Sequence, residues 1–233
     1  MKTINTETSR AARISGVTYV AVILLGVCSV NIIKSHLISP DNISDTIQNI
    51  KANETLFRTG IISELVMYVL VIVLSISLYV LLKSIDHNLA LTALLFRFGE
   101  AVVGIAITVI SGIVPLLLLN SDIHQPELVQ LFFDVSDAGL DVVLLLVGIG
   151  GILFCYLFFK SRYIPRLLAA WGIFTYATML LLGVVSMLVP DLPQSVKIAF
   201  FTPGGMFELV IGVWLLTRGV KVDYWQATVS ESS

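Results

Sequence analysis

The sequence is poor in charge. Only 13% of its 233 residues are Asp, Glu, Lys or Arg, while 57% are hydrophobic. A water-soluble domain carries roughly 25% charged residues, so this chain cannot cover a solvent-facing surface. Histidine is scarce too: His36, His87 and His124 all fall between apolar segments, and H-E-x-x-H is absent. A zinc centre built on helix-borne histidines is thereby excluded, whereas an all-carboxylate site for a hard cation is not. No G-x-S-x-G occurs. Gly148-x-Gly150-Gly151 follows an apolar run and not a strand, which makes it packing and not a nucleotide loop. No catalytic residue, metal or cofactor is assigned, and the balance leans away from an enzyme. The absence of a basic patch with interleaved aromatics argues against nucleic acid.

Cysteine is limited to Cys28 and Cys155, both in apolar segments. Their expected depths in the membrane differ by roughly 15 Å, beyond the reach of a disulfide, so both read as small packing residues. The N-terminal basic residues and the apolar run behind them lack a small-x-small cleavage site. The first helix is therefore expected to stay uncleaved.

What the chain has is long apolar runs, over 12–34, 61–82, 89–119, 137–159, 166–189 and 198–218, with a mean hydropathy of +0.94. About 20 apolar residues span a bilayer as a helix. The expected fold is all-α: a polytopic bundle of six transmembrane helices forming one domain over 12–221, with cytoplasmic tails at 1–11 and 222–233. The third run is longer than a span requires, so it can tilt, or bend at Pro115. Nine Lys and Arg fall on the side of the termini and four on the other, with Arg97 left inside a run. The positive-inside rule then places both termini in the cytoplasm. In the long loop 35–60, Ile43, Ile47 and Ile50 share a helical face, so a short extracytoplasmic amphipathic helix is expected there. Asn42 and Asn53 open short glycosylation sequons.

Helical spacing gathers the polar residues into stripes. Arg97, Glu100, Gly104, Thr108, Ser111 and Pro115 share one face, as do Asp134, Asp137, Asp141, Gly148, Gly151 and Cys155. Further stripes carry Glu64 with Tyr68, Glu208 with Gly205 and Gly212, Tyr19 with Gly26 and Ser29, and Tyr176 with Gly172 and Gly183. Small residues on such stripes let helices approach closely. Charges are another matter, since each costs at least ~2.5–3.5 kcal/mol near the bilayer centre. Glu64, Arg97, Glu100, Asp137, Asp141 and Glu208 are the candidate ligand- or ion-binding residues, with Arg58 and Asp134 as rim candidates. Arg97 can pair with Glu100 in its own helix or bridge to Glu208. The remaining acids must be hydrated, protonated or bound to a cation.

Several strings carry a resemblance: Ala12-Arg13-Ile14-Ser15-Gly16, Leu56-Phe57-Arg58-Thr59-Gly60, Phe96-Arg97-Phe98-Gly99-Glu100-Ala101, the run Tyr156 to Arg166, and Phe207-Glu208-Leu209. Together they resemble the bacterial membrane family termed domain of unknown function 4386, over roughly residues 10–221. The resemblance implies a multi-pass protein of a prokaryotic cytoplasmic membrane and carries no activity with it. One position departs: Ser136 stands where a histidine is expected in many relatives, so any role of that histidine is not expected here.

The expected function is non-enzymatic: an acidic polar cavity in the outer half of the bundle that binds a cation, a small polar solute or a lipid headgroup. A membrane-embedded hydrolase or transferase using carboxylates is the first alternative, and a structural or partner subunit the second. Besides the lipid bilayer, the sequence identifies no partner and no oligomeric state.

Overall fold

The computed structural model describes residues 2–29, 35–39, 42–120, 125–189 and 192–220, without the side chains of 2–6 and 194. The expected C-terminal tail at 222–233 lies outside the described residues, as do the loop charges Lys34, Asp122 and Asp191. Among the described residues the elements are all helical: α1 (Lys2–Val27), α2 (Ser35–Leu37), α3 (Ile43–Ala52), α4 (Glu54–Leu82), α5 (His87–Thr108), a π-helical turn (Val109–Ile113), α6 (Val114–Leu119), α7 (Pro126–Ser161), α8 (Arg166–Leu188) and α9 (Gln194–Thr217).

Six of these stretches are long and apolar enough to cross a membrane: Glu7–Val27, Glu54–Leu82, His87–Leu119, Pro126–Ser161, Arg166–Leu188 and Ser195–Thr217. Large apolar side chains stand exposed all along them, among them Leu24, Ile62, Leu95, Leu117, Phe174 and Met206. In water that surface would be untenable; in lipid it costs nothing. The protein is a multi-pass membrane protein with the expected helix count.

Five of the six spans begin earlier than their apolar runs, and two of them by the widest margins. α4 starts at Glu54 and α7 at Pro126, each with an acid in its first turn. A carboxylate there complements the helix dipole, and proline at the first position gives up a hydrogen bond the helix end lacks anyway. The long loop is thereby shortened to α2 and α3. Asn42 caps α3 by accepting from the backbone of Ser44 and Asp45, and Ile50 buries against Leu37, Phe57, Ile61 and Leu116. α3 thus lies against the bundle.

The third span stays helical through Pro115. It passes through the π-helical turn just before it. Proline crowds the carbonyl four residues earlier, here Ser111, and widening the turn moves that carbonyl aside.

Each span packs on the one before it, and α9 closes against α1, which makes a six-membered ring. Glycines set the tightest crossings. A Cβ on Gly16 would lie 2.8 Å from the Gly212 carbonyl, and one on Gly183 2.9 Å from the Asp141 carbonyl. The short turns after α4 and α7 and the outer turns of α1 and α9 meet at one end of the ring, where Lys83, Lys160 and Arg166 are exposed.

Candidate functional site: a buried charge cluster inside the ring

At about 1.5 Å per residue, Arg97, Tyr176 and Glu208 each lie about 15 Å along their helices from this basic end, near the middle of a ~30 Å hydrocarbon layer. There α5 supplies Arg97 and Glu100, both buried, whose Nη1 and Oε2 are 2.7 Å apart. The two atoms meet as charges, and neither makes a directed hydrogen bond. From α9, the half-buried Glu208 accepts a 2.8 Å hydrogen bond from the Tyr176 hydroxyl on α8. Tyr19 on α1 hydrogen-bonds with Tyr176, and Cys155 on α7 shares the same field. Arg97 interacts electrostatically with Glu100, Tyr176, Glu208 and Tyr19. Of the two pairings expected of Arg97, the structure shows the contact with Glu100; towards Glu208 there is a shared electrostatic field and no bridge among the described contacts.

Glycines cut the notches that admit these side chains. A Cβ on Gly150 would come within 2.8 Å of Arg97 Cγ, and one on Gly172 within 2.5 Å of Cys155 Sγ. A Cβ on Gly151 would enter the Tyr176 ring, and one on Gly104 the Tyr68 ring. The small stripes serve two ends, close backbone crossing and space for large polar side chains.

The other acids stand apart from this cluster. Glu64 is buried on α4; its Oε1 accepts from Ser29 at 2.9 Å and its Oε2 from Thr108 at 3.3 Å. Ser29 itself lies in a π-helical stretch at the end of α1, and Thr108 immediately precedes the π turn of the third span. Tyr68 lies in the field of both Glu64 and Glu100 and so links the two places electrostatically. Asp141 is half-buried beside Ser186 of α8 and in the field of Lys197 and Asp137. Directed hydrogen-bond geometry is lacking at the Ser186 hydroxyl, so that contact is proximity and not a bond. Asp137 and Asp134 are exposed, and Asp134 accepts from Gln130 at 2.7 Å. Arg58 pairs with Glu54 one turn away at 2.6 Å on the surface.

Among the described residues, no three His, Cys, Asp or Glu side chains converge as a metal site would require. A surface depression is lined by Lys51, Asn53, Glu54, Thr55 and Thr59 at the α3–α4 corner; none of the deep acids borders it. The structure thus brings together Arg97, Glu100 and Glu208, and leaves Glu64, Asp141 and the rim residues in places of their own. Sequence reasoning did not single out Tyr176, Tyr19 and Cys155 as partners. Their signal was membership of the small-and-polar stripes; the stripe of Cys155 also carries Asp134, Asp137 and Asp141.

The family described as Domain of unknown function (DUF4386) matches by its family model over residues 14–219. Neither the curated proteins nor the solved structures yield a match.

Proposed function

We propose that this chain, which belongs to the DUF4386 family, is a non-enzymatic membrane protein that binds a small cation or cationic polar solute inside its helix ring. The carrying observation is that Glu100 meets the Arg97 guanidinium at 2.7 Å while Glu208, held by Tyr176, lies in the field of the same cation at mid-depth. Two carboxylates and one cation leave a negative balance, which in low dielectric favours uptake of positive charge. Glu208 is the least covered of the three and accepts from Tyr176, so it is the group that would meet the ligand. Glu64, with its two hydroxyl donors, is a second acidic station towards the opposite end, coupled through Tyr68. A lipid headgroup with a cationic amine satisfies the same chemistry. The surplus of Lys and Arg at the end where the termini fall supports placement in a cytoplasmic membrane with both termini inside.

The test is thermal unfolding of the detergent-purified protein with sodium, potassium, magnesium, ammonium or ethanolamine at constant ionic strength. One of these is expected to raise the midpoint of the wild type and to lose that effect in Glu208→Gln. No shift with any of them, or an undiminished shift in Glu208→Gln, would be evidence against the reading.

A second reading, a structural subunit, is favoured by the close fit of Arg97 over Gly150 and of Tyr176 over Gly151. There the cluster would serve only to fix the helix register, and the double exchange Arg97→Glu with Glu208→Arg would restore folding.

A further inference from the structure

The corner between α7 and α8 is built with more care than a connecting turn requires. Its sequence is Lys160-Ser161-Arg162-Tyr163-Ile164-Pro165-Arg166, three cations in seven residues. α7 ends with the backbone N–H of Arg162 donating to Phe158 at 3.0 Å, and Arg162 adopts a left-handed φ of 56°. That conformation disfavours any residue with a side chain, and glycine is the usual occupant. The neighbours hold it in place. Tyr163 and Ile164 turn inward and are buried, and the Ser161 hydroxyl accepts from the Tyr163 backbone at 3.3 Å.

The α4–α5 turn is tied to the same corner. The Tyr163 phenol hydrogen-bonds with Ser84, its burial pushing it above the ordinary tyrosine range. Lys160 Nζ stands 3.8 Å from Asp86 Oδ2. Lys83, next to Ser84, is exposed on this face. The Arg166 guanidinium sits 5.3 Å over the Phe159 ring, which fixes its direction. Among the described residues the corner thus carries Lys83, Lys160, Arg162 and Arg166, with Asp86 beside Lys160.

We infer that this corner is a binding site for the headgroup of an anionic phospholipid. Its phosphodiester matches a cluster of guanidinium and ammonium donors held at the membrane surface. The surroundings favour a lipid over a soluble anion. Leu167 is 84% exposed directly beside Arg166, and Tyr156 is 45% exposed one turn below Lys160. An acyl chain running down from a phosphate at the corner would lie along those side chains. The site is at the end of the ring and is independent of the interior cluster.

The experiment is thermal unfolding of the full chain in nonionic detergent with added phosphatidylglycerol, with phosphatidylcholine, or with inorganic phosphate at equal concentration. Phosphatidylglycerol is expected to raise the midpoint by about 3–6 °C at tenfold its dissociation constant. Phosphatidylcholine and phosphate should leave it unmoved. The triple variant Lys160→Gln, Arg162→Gln, Arg166→Gln should lose the rise, and Arg166→Gln alone, whose side chain is exposed, should lose part of it. The control Arg10→Gln, Arg13→Gln removes two exposed cations from α1 and should keep the rise. The inference is overturned if phosphatidylcholine gives the same rise, if inorganic phosphate does, if Arg166→Gln and the triple variant both respond like the wild type, or if the control loses the rise equally.

Discussion

At the scale of residues, Arg97 governs the energetics of the interior. Removing one partner of a buried ion pair leaves an uncompensated charge, at a cost of about 3–5 kcal/mol. Arg97→Met should therefore destabilise by that amount in chemical unfolding of the detergent-solubilised protein. Glu208→Gln keeps an acceptor for Tyr176 and should cost about 1 kcal/mol or less. The glycines offer a sharper contrast. Gly150→Ala drives a methyl to within 2.8 Å of Arg97 Cγ and should cost about 1–3 kcal/mol. Gly205 sits in α9 with nothing within 4 Å of its would-be Cβ. Gly205→Ala should therefore stabilise, by up to about 1 kcal/mol, through helix propensity alone. Equal effects at the two glycines, measured by unfolding midpoints, would contradict the packing described. The charged residues of the cluster were legible in the sequence because a charge in an apolar run stands out. Tyr19, Tyr176 and Cys155 were not, because aromatic and thiol side chains on a membrane helix are usual packing groups, and only the ring closure brings them to Arg97.

At the scale of elements, the spans were readable from apolar length, yet their beginnings were not. α4 and α7 extend into polar sequence at Glu54 and Pro126, where capping and dipole effects, not hydropathy, decide the boundary. The disturbance of the third span was signalled by Pro115, but its form as a π turn was not, and neither was the contact of Thr108, just before that turn, with Glu64 of a neighbouring helix. This contact carries a prediction. Thr108→Val together with Ser29→Ala removes two hydroxyls that donate to Glu64. Each donor lost from a buried carboxylate costs about 1–3 kcal/mol. Amide hydrogen exchange across 109–119 should accelerate in that variant while α8 stays protected. Uniform acceleration in both segments would show that the effect is global and not local to the π turn.

At the scale of the whole molecule, the sequence distinguished the two ends of the bundle by charge but could not say which stripes meet. Helical periodicity places residues on a face; it does not order the helices around a ring. The ring brings residues from five separate stripes into one mid-depth cluster and leaves Glu64 and Asp141 outside it. The orientation has its own check: cysteines introduced at Lys83 and at Asn53 should label from opposite sides of intact inverted and right-side-out vesicles, Asn53→Cys from the extracytoplasmic side. The central claim, that the interior cluster takes up a cation, is tested most directly by isothermal titration of the cation that stabilises the wild type, at constant ionic strength, into wild type and Glu208→Gln. Saturable binding at one site, weakened at least tenfold in Glu208→Gln, is the result predicted. Binding of equal affinity in the two proteins, or none in the wild type, would contradict it.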